Sequence, residues 1–192
     1  MIGQVKSWTY QKQLQELESI PSPEEIIMIS NNIKELRNQC LFILCYLTGG
    51  RISELVDRKG IKPENFSKQF VDDREIIVIN ITNLKNKHRH RKEIPIPLDK
   101  EISKELFIKA YEYISSIGYN TLLFDFTRQQ AYNIIKKNTG LNPHYMRHIR
   151  ATHLALYHDF NEFLLVKYMG WTDSRPAKHY MELKWKDILQ KL

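Results

Sequence analysis

Apolar positions along the chain follow two different periods. Over roughly residues 22–60 and again from about 99 onward they recur every three or four residues, the helical spacing; between about 66 and 97 they alternate, the spacing of strands. Ser22-Pro23-Glu24-Glu25 opens the first helix, with Ser22 as N-cap, Pro23 in the first helical position and Glu25 closing a capping box. A second helix is expected over about 33–47, with Ile33, Leu36, Cys40, Leu44 and Leu47 on one face. It becomes apolar all round towards its end, which places it at the centre of the core. Gly49-Gly50 stops it, and "RISELVDR" begins a short third helix. "REIIVINIT" reads as a strand, with Ile77, Ile79 and Ile81 alternating against Val78 and Asn80. "KEIPIPL" is a second strand whose prolines suit a sheet edge, and "FSKQFVDD" a third. Between the first two lies the hairpin tip "NLKNKHRHRK". Helices follow over about 99–117, 128–138, 143–158 and 161–168, then a segment over 174–191. Thr127 with Gln130 forms a second capping box; Asn142 caps the third of these helices, with Pro143 in its first turn.

Neither an internal repeat nor a low-complexity linker interrupts this order. The expectation is a mainly α domain with a small antiparallel β-sheet inserted (α+β), spanning 22–192 after a lead-in over 1–21, and 192 residues suffice for one substantial core. The longest apolar run, "CLFILCYL", is too short to span a bilayer, and the N-terminus lacks the apolar stretch of a signal peptide. An intracellular protein is expected. Cys40 and Cys45 fall inside that run and read as buried thiols. Lys and Arg total 29 against 22 Asp and Glu, a net charge of +7, which points towards a polyanionic partner.

Four of the seven histidines lie in "NPHYMRHIRATHLALYH": His144, His148, His153 and His158. His144 and His148 are four apart and could share a metal, but Tyr145 stands where a zincin needs Glu, and a neighbouring arginine repels a cation. No metal is expected. His144 and Arg147, three apart, share a helix face in the first turn, where free N–H groups and the helix dipole favour an anion. Arg51 follows a buried helix and a glycine pair, so its guanidinium falls near the core, where Glu54 can orient it. The hairpin tip offers Lys85, Lys87, His88, Arg89, His90, Arg91 and Lys92, a run suited to a DNA groove and its phosphates. Tyr180 stands near Arg175, Lys178 and His179, nine residues after Trp171.

Taken in order, these signals match a family. The chain resembles the catalytic domain of the tyrosine recombinases, which include phage and archaeal integrases and the Xer proteins. "LTGGRISEL" looks like their first-arginine motif, with Arg51 and its supporting acid Glu54. "HYMRHIRATHL" is similar to their H-x-L-R-H box, with His144 and Arg147 in the functional places and His148 as an orienting neighbour. "YMGW" is similar to their L-G-H/W box and brings in Trp171, and Tyr180 falls where the family has its nucleophile. The hairpin lysine of the family corresponds to Lys85, or to Lys87 in a shorter hairpin. The resemblance runs over about 22–182, and members usually carry a separate N-terminal helical DNA-binding domain, where here about twenty residues precede.

The resemblance implies a site-specific recombinase that needs neither metal nor ATP. Tyr180 would attack a DNA phosphate and form a 3′-phosphotyrosyl bond. Arg51 and Arg147 would hold the non-bridging oxygens, with His144 as a donor or as acceptor of the tyrosine proton. Trp171 would pack on Tyr180 and donate its indole N–H, and Lys85 would protonate the leaving 5′-oxygen. Lys87, Arg89, Arg91, Arg175 and Lys178 would contact double-stranded DNA. Leu183, Trp185, Ile188, Leu189 and Leu192 form an apolar stripe in the tail, which would pack on its own domain or on a neighbouring subunit of a tetramer on DNA. The alternatives are a type IB topoisomerase, which relaxes supercoils with the same chemistry, and a non-catalytic DNA-binding module.

Overall fold

The structure, a computed structural model, describes residues 20–56, 58, 60–82, 91–178, 180 and 181. Lys85, Lys87, Arg89, the side chain of Arg91 and the tail from 182 onward lie outside them, as does the lead-in up to residue 19.

Within the described residues the expected helices and strands appear in the expected order. Helix α1 (Pro23–Asn31) starts with the full capping box: the Ser22 hydroxyl accepts from the Glu25 N–H, and the Glu25 carboxylate accepts from the Ser22 N–H at 2.7 Å. Helix α2 (Leu36–Thr48) begins three residues later than its apolar pattern suggests. Ile33 is buried ahead of the helix, where its N–H donates to Ser30, so its burial reflects the α1–α2 turn. From Gln39 to Thr48 every residue of α2 is buried. This helix is the axis of the core, with α4 (Glu101–Ile114), α5 (Arg128–Thr139) and α6 (Pro143–Tyr157) packed around it. A leucine such as Leu44, fully buried here, contributes on the order of 2 kcal/mol through burial, and its truncation to Ala would cost about 2–5 kcal/mol once the cavity is counted. Cys40 and Cys45 are free, buried thiols, their ionisation pushed far up by burial.

Helix α3 (Ile52–Val56) follows the glycine pair, and a three-stranded antiparallel sheet follows α3. Strands β1 (Phe66–Val71), β2 (Arg74–Thr82) and β3 (Arg91–Pro97) lie in sequential order. The register pairs Val78 with Pro95 and Ile76 with Pro97, so both prolines sit on the edge strand. Ile77, Ile79 and Ile81 point inward, as their alternation predicts. On β3 the inward row is Lys92, Ile94 and Ile96. Helix α7 (Glu162–Met169) packs against α6 and β3, Gly170 ends it in the left-handed conformation (φ 63°), and a helical turn begins at 175.

Candidate active site

One cleft lies between the start of α6 and the chain beyond α7, and Arg147 in it reaches back to the α2–α3 turn. Asn142 caps α6 by accepting from the Tyr145 N–H at 2.9 Å, which fixes the first turn and the direction of His144 and Arg147. The cleft, about 460 Å³, is lined by Asn142, His144, Tyr145, Arg147, His148, Trp171, Pro176 and Tyr180.

Arg51 is placed by backbone geometry as much as by its ion pair. Gly49 ends α2 with φ +52°, and a Cβ there would stand 2.9 Å from Met169 Sδ. A Cβ on Gly50 would stand 2.9 Å from Thr48 Oγ1 and 3.3 Å from a Glu54 oxygen, so the glycine pair lets the chain turn tightly against that carboxylate. Glu54 is 4% exposed and accepts twice from Arg51, from the backbone N–H at 2.9 Å and from the guanidinium at 3.0 Å. It is the acid expected to hold Arg51, and its burial makes that pair a fixed part of the site rather than a surface ion pair.

Arg147 is 7% exposed, against the solvated position that a lone H-x-x-R would ordinarily have. Its two terminal nitrogens donate to the carbonyls of Gly49 and of Met169, the latter at 2.5 Å, so one guanidinium ties α6 to both flanking turns. Of its five N–H donors, these bonds occupy two. Its carbon lies 5.8 Å from the centre of the Trp171 ring. Burial and the nearby Arg51 cation lower its affinity for a proton to about 10, leaving it charged at neutral pH. His144 is exposed on the cleft wall, one turn before His148.

Tyr180 is 8% exposed. Its ring stacks on Trp171 with centroids 5.8 Å apart and planes 13° off parallel, and its hydroxyl lies 2.9 Å from Nδ1 of His148. Burial raises the phenol to about 12, with the Arg147 cation pulling the other way. Trp171 thus stands between an arginine and a tyrosine, as a packing plate for both. Arg175 and Lys178 are exposed; Arg175 pairs with Asp173 at 2.9 Å on the surface. His153 belongs to the core: its Nδ1 meets the Tyr46 hydroxyl at 2.7 Å and its Nε2 meets the Pro21 carbonyl at 2.9 Å. Burial and the nearby Arg150 cation lower it to about 4, so it is neutral and structural, as its distance along the helix implies.

The main residue that sequence reasoning passed over is Lys92. It was one of seven basic residues in the hairpin run, yet it is 6% exposed and donates from Nζ to the Thr48 carbonyl at 2.9 Å. Burial, with Arg147, Arg51 and Arg150 close by and Glu54 opposing them, brings it down to about 7. The available signal was alternation: Lys92, Ile94 and Ile96 share a strand face, and that face is the core. Arg150 is a second buried cation, bonded to the Tyr168 hydroxyl at 3.0 Å and lying over the rings of Tyr46 and Tyr168. Arg51, Arg147 and Lys92 thus share one buried carboxylate, Glu54. Among the described residues no group of three or more His, Cys, Asp or Glu is disposed to hold a metal, and no helix is long and apolar enough to cross a membrane.

Fold and site define a class: a mostly helical domain with an inserted antiparallel sheet, which sets a sheltered tyrosine against a clamp of arginines. The chain belongs to the phage integrase family, whose sequence profile matches residues 8–186. The fold is similar to that of the XerH site-specific recombinase in a post-cleavage complex with its difH substrate, at a TM-score of 0.59 and 18% identity over 91% of this chain and 53% of that one. It is also similar to an Flpe mutant bound to a DNA Holliday junction (TM-score 0.58, 18% identity, 86% and 47% of the two chains) and to the XerA recombinase (0.56, 16%, 88% and 63%). The chain thus spans about half the length of the first of these. No curated protein matches it significantly in sequence.

Proposed function

We propose that the chain is a site-specific DNA recombinase that breaks and rejoins DNA through a covalent bond between Tyr180 and a 3′-phosphate. The observation that carries this reading is the shared cleft. Arg147 is tied to both flanking turns, His144 and Tyr180 line the same cleft, and the Arg147 cation acts on the Tyr180 phenol. In-line attack on a phosphodiester gathers negative charge on the non-bridging oxygens. Fixed guanidinium groups at that charge are the largest single source of catalysis such a site can supply. Arg51, held by Glu54, contributes the second guanidinium and His144 a further donor. Trp171 aligns the phenol by stacking. Because the phosphotyrosyl bond keeps the energy of the phosphodiester, rejoining needs no nucleotide. The basic hairpin between β2 and β3, with Arg175 and Lys178, supplies contacts to double-stranded DNA, and recombination proceeds in a tetramer of such chains inside the cell.

Protonation of the leaving 5′-oxygen is assigned to Lys85, or to Lys87 in a shorter register. With a 5′-phosphorothiolate leaving group, which needs no proton, the alanine variant of the true acid should recover cleavage while the other variant is unchanged. The reading as a whole is tested with suicide duplexes tiled over the DNA flanking the gene. Wild-type protein should yield a covalent adduct on a denaturing gel at one preferred site. Relaxation of supercoiled plasmid without site preference would favour a type IB topoisomerase instead, and binding without any adduct would favour a non-catalytic module.

A further inference from the structure

Attack by a phenol requires that its proton leave. The sequence pattern offers His144 for this task, yet the imidazole at the Tyr180 oxygen is His148, at 2.9 Å through Nδ1. We propose that His148 takes the proton of Tyr180 as the hydroxyl attacks phosphorus, and returns it when the DNA strand is rejoined. This proposal rests on the reading of Tyr180 as the nucleophile.

The geometry supports a base rather than a spacer. The His148 ring is fixed in place by the Tyr145 ring, with centroids 5.8 Å apart and planes 27° off parallel, and by the Tyr180 ring at 5.4 Å. Its position along α6, one turn past His144, turns it from the cleft mouth towards the tyrosine. In the neutral form with hydrogen on Nε2, the Nδ1 lone pair receives the hydroxyl hydrogen bond, so the proton path is a single existing contact. The need for a base is real. A phenol that burial holds at about 12 is ionised to only about one part in 10⁵ at neutral pH.

The Tyr180 O–H bond breaks and its proton passes to Nδ1, giving an imidazolium. The O–P bond forms as the bond from phosphorus to the 5′-oxygen breaks, and the 5′-oxygen takes a proton from the separate acid on the hairpin. On rejoining, the 5′-hydroxyl attacks phosphorus and gives its proton back to that deprotonated hairpin group, the Tyr180 oxygen leaves phosphorus, and the imidazolium returns its proton to it. Among the described residues, the charged and titratable groups that line the cleft with His148 are His144, Tyr145 and Arg147 on α6 and Tyr180 on the last turn, and Arg51 and Lys92 act on Arg147.

The test is single-turnover adduct formation on a suicide duplex, measured from about pH 5.5 to about pH 9 for wild type, His148→Ala and His148→Gln. The expected result is a loss of about 10²–10⁴-fold in both variants, with the acid limb of the wild-type profile gone and part of the alanine variant's rate restored by imidazole in the buffer. Glutamine can keep a hydrogen bond to Tyr180 but cannot accept its proton, so recovery by His148→Gln would overturn the proposal and leave a positioning role. So would a wild-type rate and pH profile in either variant. A second readout needs no turnover: with ¹³Cζ-labelled tyrosine, the Tyr180 resonance of the wild-type protein should move as His148 titrates, and an unmoved resonance would also overturn it. If wild-type protein itself forms no adduct, the nucleophile reading fails; if it does and the variants match it, this proposal alone fails.

Discussion

Replacing Lys92 by methionine isolates the electrostatic design of the site. The stem keeps its volume, while the ammonium and its bond to the Thr48 carbonyl are removed. In the unfolded chain the lysine holds its proton to about 10.5; in the folded protein burial and the arginines bring this to about 7. The folded state therefore binds the proton less tightly, and the charged lysine is a cost to folding. Below about pH 7 both states are protonated and the cost is fully present. Between about 7 and 10.5 only the unfolded chain holds the proton, so stability rises with pH; above that range the cost is gone. At 1.36 kcal/mol per pH unit the gap amounts to about 5 kcal/mol at most. The lost bond to Thr48 offsets about 1–3 kcal/mol of the relief. Urea unfolding at pH 6, 7, 8 and 9 should thus show wild-type stability climbing by about 2 kcal/mol from pH 7 to 9, relative to Lys92→Met. At pH 6 the variant should be at least as stable as wild type. Parallel curves for the two proteins would refute the reasoning, because they would mean that Lys92 keeps its proton through folding at these pH values.

Two further outcomes follow from buried groups. Glu54→Gln leaves Arg51 without its charge partner: stability should fall by about 1–3 kcal/mol in urea unfolding, and adduct formation should fall by at least tenfold. His153 is held at about 4 against an ordinary 6.5, so the unfolded state binds its proton more tightly and stability should drop by up to about 3 kcal/mol as pH falls from 6.5 to 4; His153→Gln should flatten that part of the curve.

The legible parts of the sequence were those governed by local rules. Capping boxes at Ser22 and Thr127, the Asn142 cap and the alternating isoleucines of β2 each fix an element from a few adjacent residues, and all four are present. Arg51 with Glu54 was legible for the same reason, since the pair spans one turn. What stayed hidden depends on contacts between distant segments. Arg147 reaches Gly49 and Met169, Lys92 reaches Thr48, and His148 meets Tyr180 across 32 residues. A motif names the residues of a helix turn but not which of two histidines, one turn apart, meets a side chain from elsewhere. The start of α2 was misplaced because Ile33 is buried by a turn and not by the helix it precedes, and periodicity alone cannot separate those two reasons.

The central claim is that Tyr180 becomes covalently joined to DNA. Protein trapped on a suicide duplex, digested and analysed by tandem mass spectrometry, should yield a peptide carrying a nucleotide on Tyr180, and Tyr180→Phe should fold, bind the same duplex and yield none. A nucleotide on any other residue, or an adduct that survives in Tyr180→Phe, would contradict it.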